Sequence, residues 1–226
     1  MKDTLERPIM EKTYKTILNT SSWETYIQKS RFIGYSQPLE SEEKAQAFIQ
    51  SIKEKHGDAS HNVSAYIIGV NKEIQRYSDD GEPNGTAGIP MINYLKAEDL
   101  TNLAVVVTRY FGGIKLGTGG LARAYSGTAK SVVDKSRILE AAIFARLELI
   151  FDYSNIGPME NYLNKESIII VNKEYNETPT FTILILKEMM DQIISELNNL
   201  TSGNIEVSVK ETKYYLKDGL KVYEIQ

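Results

Sequence analysis

LAVVVTRYFGGIKLGTGGLARAYSGTAK, residues 103–130, opens on an aliphatic run, turns through glycines and closes on small and apolar residues at helical spacing. Leu103–Val107 is apolar at every position, so it reads as a strand covered on both faces; a half-exposed strand would alternate. From Leu121, the residues Leu121, Tyr125, Ala129, Val132 and Val133 share one side of a helix running to about Leu139. Strand, corner and helix in that order set a helix against a sheet, and the rest of the fold is read outward from this unit. Between the two elements, Thr108–Tyr125 carries five glycines together with Arg109, Lys115 and Arg123.

Bare backbone beside positive charge has two uses. As an anion site, free N–H groups at the helix N-terminus and the helix dipole would act with Arg109, Lys115, Gly117, Gly119, Gly120, Arg123 and, further along, Lys130. The phosphate loop G-x-x-x-x-G-K-[ST] does not fit, because Lys115 precedes its glycines. GTGGLA, residues 117–122, satisfies G-x-G-x-x-A but starts well after the strand ends, and Asp134 lies inside the helix rather than after a second strand, so a dinucleotide fold is rejected. The other use is steric: Gly112 and Gly113 let the chain turn a corner and let helix and sheet approach closely.

Upstream, SDDGEPNGTAGIP, residues 78–90, is a run of turn formers that reads as irregular backbone, too kinked for a strand or a regular helix. Its Ser78, Asp79, Asp80 and Glu82 form a candidate second loop of the site. Asp79, Asp80 and Glu82, with His61, offer oxygen and imidazole ligands to a divalent cation of the magnesium or calcium kind, against the simpler reading of an Asp-turn. His56 falls in the last turn of a helix, where partial protonation suits the negative end of the dipole. Trp23 is expected in a core or an interface. No nucleophile or general base is forced by the residues, so catalysis is not the expectation and no cofactor is called for.

Residues 10–38 read as strands closed by Pro38, followed by a helix capped by Ser41 and ended by Gly57, then two strands over 63–76 around an Asn-containing turn and a short helix from Met91. From about residue 141 the order strand, helix, strand, strand, helix, strand fits the split βαβ, or ferredoxin-like, motif. The tail alternates like a hairpin around Asp218-Gly219. The fold class is therefore α+β, with domains over residues 1–140 and 141–226.

The 226 residues carry 26 basic and 30 acidic side chains and no cysteine, which excludes disulfides and thiolate metal sites. The net charge of −4 speaks against a protein coated in positive charge, yet residues 100–137 hold six basic residues and one acid. No apolar window has the length of a membrane helix and the N-terminus lacks the apolar core of a signal peptide, so a cytoplasmic protein with no membrane partner is expected.

RYSDDGEPNGTAGIPMINYL (76–95) followed by LTNLAVVVTRYFGGIKLGTGGLARAYSGTAK (100–130) closely resembles the signature of the IMPACT/YigZ family. KSRFIGYSQPLESEEKAQAFI (29–49) and HNVSAYIIG (61–69) match its earlier segments. The resemblance implies an N-terminal domain like domain 2 of ribosomal protein S5 and a C-terminal domain like domain V of an elongation factor. Eukaryotic members regulate translation through an added RWD domain; none is visible here, and its partner is not carried over. With no nucleophile or general base forced and a basic segment at the glycine-rich loop, a non-catalytic binding protein is expected, holding RNA, a ribosome or a protein partner through that loop; the link to translation or stress is what the resemblance implies. The alternative is an enzyme or sensor for a nucleotide or phosphometabolite, assisted by a divalent cation.

Overall fold

The computed structural model describes residues 12–219 and 221–225 and divides into two compact units, around Thr13–Glu140 and Ala141–Ile225. The first is built from β1 (Tyr14–Ile17), β2 (Ser21–Ile27), β3 (Ser30–Pro38), α1 (Glu42–Lys55), β4 (His61–Ile68), β5 (Ile74–Ser78), α2 (Gly88–Ala97), β6 (Leu103–Tyr110) and α3 (Gly117–Lys135). Its sheet has the order β2-β3-β6-β4-β5, and every neighbouring pair is antiparallel.

The central strand β6 explains its own composition. Leu103, Val105 and Val107 pack with Phe32, Val63, Ala65 and Ile67 under α2 and α3, which contribute Met91, Leu95, Leu121, Tyr125, Ala129, Val132 and Val133. Ala104 and Val106 point the other way, to Leu39, Phe48, Ile52, Tyr66 and Ile68 beneath α1. An uninterrupted apolar run is what a strand with helices on both faces requires. Ser41 caps α1 as expected, its Oγ accepting from Lys44 N at 3.3 Å, but the helix is closed by the N–H of His56 donating to Ile52 O rather than by Gly57.

The boundaries of α2 and α3 also differ from the sequence reading. Helix α2 begins at Gly88, inside the stretch read as irregular, because the Asp79 carboxylate accepts from its first amide and from two amides leading into it: Gly88 N and Ala87 N donate to Oδ1 at 2.8 and 3.1 Å, and Gly85 N to Oδ2 at 2.8 Å. Pro90 falls in the first turn, where its missing N–H is no loss. Helix α3 begins at Gly117, before the apolar periodicity starts, and ends at Lys135; Arg137 takes a φ of 60° and the chain enters the next strand at Ile138.

The second unit follows with β7 (Ile138–Phe151), α4 (Ile156–Lys165), β8 (Ile169–Tyr175), β9 (Pro179–Leu186), α5 (Met190–Leu200), β10 (Ile205–Asp218) and β11 (Lys221–Glu224). Its sheet order β11-β10-β7-β9-β8 is that of a split βαβ with one hairpin strand added at Asp218↔Lys221. Leu147, Leu149, Phe181 and Ile183 meet Met159, Leu163, Ile193 and Leu197 of the two helices.

Candidate functional site

At the end of β6, Arg109 is paired in register with Phe32 on β3 and His61 on β4, so residues from three strands converge there. Arg109 shares the parity of Val105 and Val107, which turns its side chain toward the α2/α3 layer and leaves it only 5% exposed. Its Nη1 donates to Glu82 Oε1 at 2.6 Å and its Nη2 to Ser30 Oγ at 3.3 Å. Glu82, equally buried, also accepts from the Tyr125 hydroxyl at 2.7 Å, and His61 Nε2 stands 3.8 Å from the same oxygen. Burial, then the hydrogen bond to Glu82, raises the Tyr125 phenol far above its ordinary range, so it serves as a hydrogen donor and not as a base.

The acidic and glycine-rich loops therefore meet, at the Glu82–Arg109 pair. Their charges face each other, and this removes two roles expected from sequence. Arg109 is a buried counter-ion, not an open anion contact, and Asp79, Asp80 and Glu82 do not gather around a cation. Asp79 closes the α2 N-terminus as described. Asp80, at a φ of 45°, accepts from Lys53 Nζ and from Asn62 N, both at 2.6 Å, while its carbonyl takes the Nδ1 proton of His61 at 2.9 Å. Ser78 Oγ accepts from Asp80 N at 3.2 Å and so shapes the turn. Among the described residues no group of three His, Asp or Glu side chains is placed to hold a metal.

The remaining basic residues separate into two places. Lys130 lies about 20 Å along α3 from its start and pairs with Asp134 at 3.0 Å. Lys115 and Arg123 are exposed at the N-terminus of α3, and among the described residues neither has a hydrogen bond or ion pair. Leu116 supplies no capping side chain, the first turn holds no acid, and Gly117, at a φ of 70°, starts the helix. Arg123 folds back along that turn: a Cβ on Gly119 would stand 3.6 Å from its Nη1. Gly120 instead packs on Leu116, where an added Cβ would come within 3.1 Å of the Leu116 Cβ.

The loop before the helix is held from below. Gly112 N donates to Ser30 Oγ at 3.2 Å and Phe111 N to Ser60 Oγ at 3.1 Å. Gly112 also lies directly on the backbone of Lys29, which with Gln28 makes the two-residue turn of the β2–β3 hairpin, both at positive φ. That contact brings the exposed Lys29 to the rim of the site, a cation that no local pattern in the sequence marks.

His56 behaves differently from the dipole partner expected at a helix end. It is 8% exposed, between the hydroxyls of Tyr35 (2.7 Å from Nε2) and Tyr110 (2.9 Å from Nδ1), and Tyr110 in turn donates to Asp58. Burial, helped by the charges of Lys55 and Arg31, holds it below the usual imidazole range. The native state thus binds its proton less readily than the unfolded chain, so the stabilisation from neutral His56 is full above the unfolded value of about 6.5 and is lost as pH falls below it. In urea titrations across that range, His56→Gln is expected to show a shallower acid limb; a slope equal to the parent's would count against it. Trp23, expected in a core or interface, is 43% exposed on the edge strand β2.

The family profile of the Impact N-terminal domain matches residues 28–133, and that of a domain of unknown function (DUF1949) matches residues 149–204. The chain is 38% identical to the IMPACT family member YvyE of Bacillus subtilis, over 91% of this chain and 94% of that one. It is 31% identical to the IMPACT family member YigZ of Escherichia coli, over 80% and 90%. A solved crystal structure of a hypothetical protein superposes with a TM-score of 0.57 at 28% identity, covering 88% of this chain and 98% of that one. No helix among the described residues is long and apolar enough to cross a membrane. With a β6–glycine loop–α3 unit at its centre and relatives matched over nearly their whole length, this chain belongs to the IMPACT family.

Proposed function

We propose that the N-terminal unit is a non-catalytic RNA-binding module that holds backbone phosphates at the start of α3. The observation that carries this reading is the contrast between two helix N-termini. The chain fills that of α2 with its own Asp79 carboxylate, whereas that of α3 has no capping side chain and no acid in its first turn, and is flanked by Lys115 and Arg123, which have no ion-pair partner among the described residues. Backbone N–H groups, a helix dipole and two fork- or point-charge cations match phosphate oxygens. Lys29 extends the same rim. The link to translation is what the family resemblance adds.

A second reading, a nucleotide or phosphometabolite enzyme or sensor, draws on the meeting of the two loops at Glu82–Arg109. It is the weaker one, because each carboxylate of the acidic loop already accepts from a protein donor. Fluorescence anisotropy with a labelled structured RNA separates the readings. Two charge-assisted contacts at about 1.5 kcal/mol each make Lys115→Glu with Arg123→Glu roughly a hundredfold weaker binder, with an unchanged melting temperature. The parent's affinity should also fall as salt rises, with a log–log slope of about −2 to −3. Equal binding by parent and variant sinks the RNA reading. A rise in melting temperature with free nucleotide or magnesium but not with RNA would favour the second.

A further inference from the structure

The phosphate site has an apolar neighbour that phosphate alone does not explain. Phe111 is 50% exposed and Ile114 40% exposed, in the same loop as Lys115 and directly before α3. Phe111 is half in water, yet its backbone and its ring each have a partner. Its backbone N–H is tied to Ser60 Oγ at 3.1 Å, and the guanidinium of Arg109 lies 5.3 Å from the ring centroid. That guanidinium is itself held by hydrogen bonds to Glu82 and Ser30 and lies 5.5 Å from the Phe32 ring centroid. The buried Arg109–Glu82 pair thus acquires a purpose beyond the core: it is the cationic support beneath an exposed ring.

We infer that Phe111 is a stacking platform for an unpaired base, and that the site selects single-stranded over duplex RNA; this rests on the RNA reading above. The two halves of the site ask for the two halves of a nucleotide. Lys115, Arg123 and the α3 amides face anionic oxygen, while the Phe111 ring, with Ile114 beside it, offers a flat apolar surface. A paired helix keeps its base faces inside the stack, so it can meet the cations but not the ring. A single strand meets both. Arg109 behind the ring favours the stacked arrangement, since it holds the ring in position before the base arrives.

Anisotropy titrations of the full chain test this with three probes of equal length, roughly twelve nucleotides, within the span such platforms cover: an unstructured single strand, its duplex, and an abasic strand. The single strand is expected to bind about tenfold more tightly than either of the others. Phe111→Ala removes that advantage and leaves abasic binding unchanged, whereas Phe111→Trp retains it. Lys115→Glu with Arg123→Glu weakens all three. If the duplex or abasic strand binds the parent as well as the single strand does, or Phe111→Ala has no effect, the platform is refuted while the phosphate site stands. If the parent binds none of the probes, both fall. Circular dichroism of each variant confirms that the comparison is between folded proteins.

Discussion

Replacing Arg109 with methionine lowers the free energy of unfolding by about 3–5 kcal/mol, a large part of the total stability of a domain. The side chains of the pair are 6% and 3% exposed, so neither charge has water to fall back on. With the guanidinium gone, Glu82 keeps the Tyr125 donor, with His61 Nε2 3.8 Å away, but loses the charge that neutralises it. Methionine fills much of the same volume, so the loss reports the stranded carboxylate and not a cavity. Glu82→Gln should cost a similar amount for the mirrored reason, leaving a buried guanidinium opposite a neutral amide. The double variant should lose far less than the two singles together, and the cycle measured by urea unfolding gives the coupling. Additive losses, or a single loss under about 1 kcal/mol, would show that the pair is solvated and that the ring above it lacks a rigid support.

What the sequence carried here is the core pattern, and what it withheld is long-range pairing. The unbroken apolar run of β6, the one-sided apolar stripe of α3 and the strand–helix alternation after residue 141 each have a period that the fold reproduces. Arginine is usually exposed, so the sequence alone places Arg109 in an open anion site. Its parity with Val105 and Val107 was the available signal that it points inward. No local pattern says that its partner is Glu82, 27 positions away, since an acid-rich turn looks the same whether its carboxylates bind metal, cap a helix or neutralise an arginine. The early start of α2 has the same origin, because the cap that permits it, Asp79, lies nine positions upstream of Gly88. Lys29 was missed because the hairpin turn Gln28-Lys29 lacks the Asn-Gly signature although its backbone takes the same positive φ values. Phe111 carries no period or motif of its own, so its 50% exposure is visible only in the fold.

Of the two glycines after Phe111, one is required by space and the other by conformation, and alanine distinguishes them. A Cβ on Gly112 would overlap the carbonyl of Lys29 and lie 2.5 Å from Ser30 N. All of those are backbone atoms. They belong to a hairpin turn fixed by two residues at positive φ, so they have little freedom to withdraw. Gly112→Ala must therefore lift the loop, breaking the bond from Gly112 N to Ser30 Oγ and moving Phe111 off its support. The expected cost is about 3 kcal/mol, the upper end for an overpacked site, with loss of single-strand binding at temperatures where the variant is still folded. Gly113 has nothing within 4 Å of an added Cβ, and only its φ of 84° resists a side chain, so Gly113→Ala should cost about 1–2 kcal/mol and leave Phe111 in place. Urea unfolding of both variants, followed by titration with the single-stranded probe, separates the two effects. Should the two midpoints coincide, close approach to the β2–β3 hairpin is not what Gly112 provides, and the loop reaches its position without that contact.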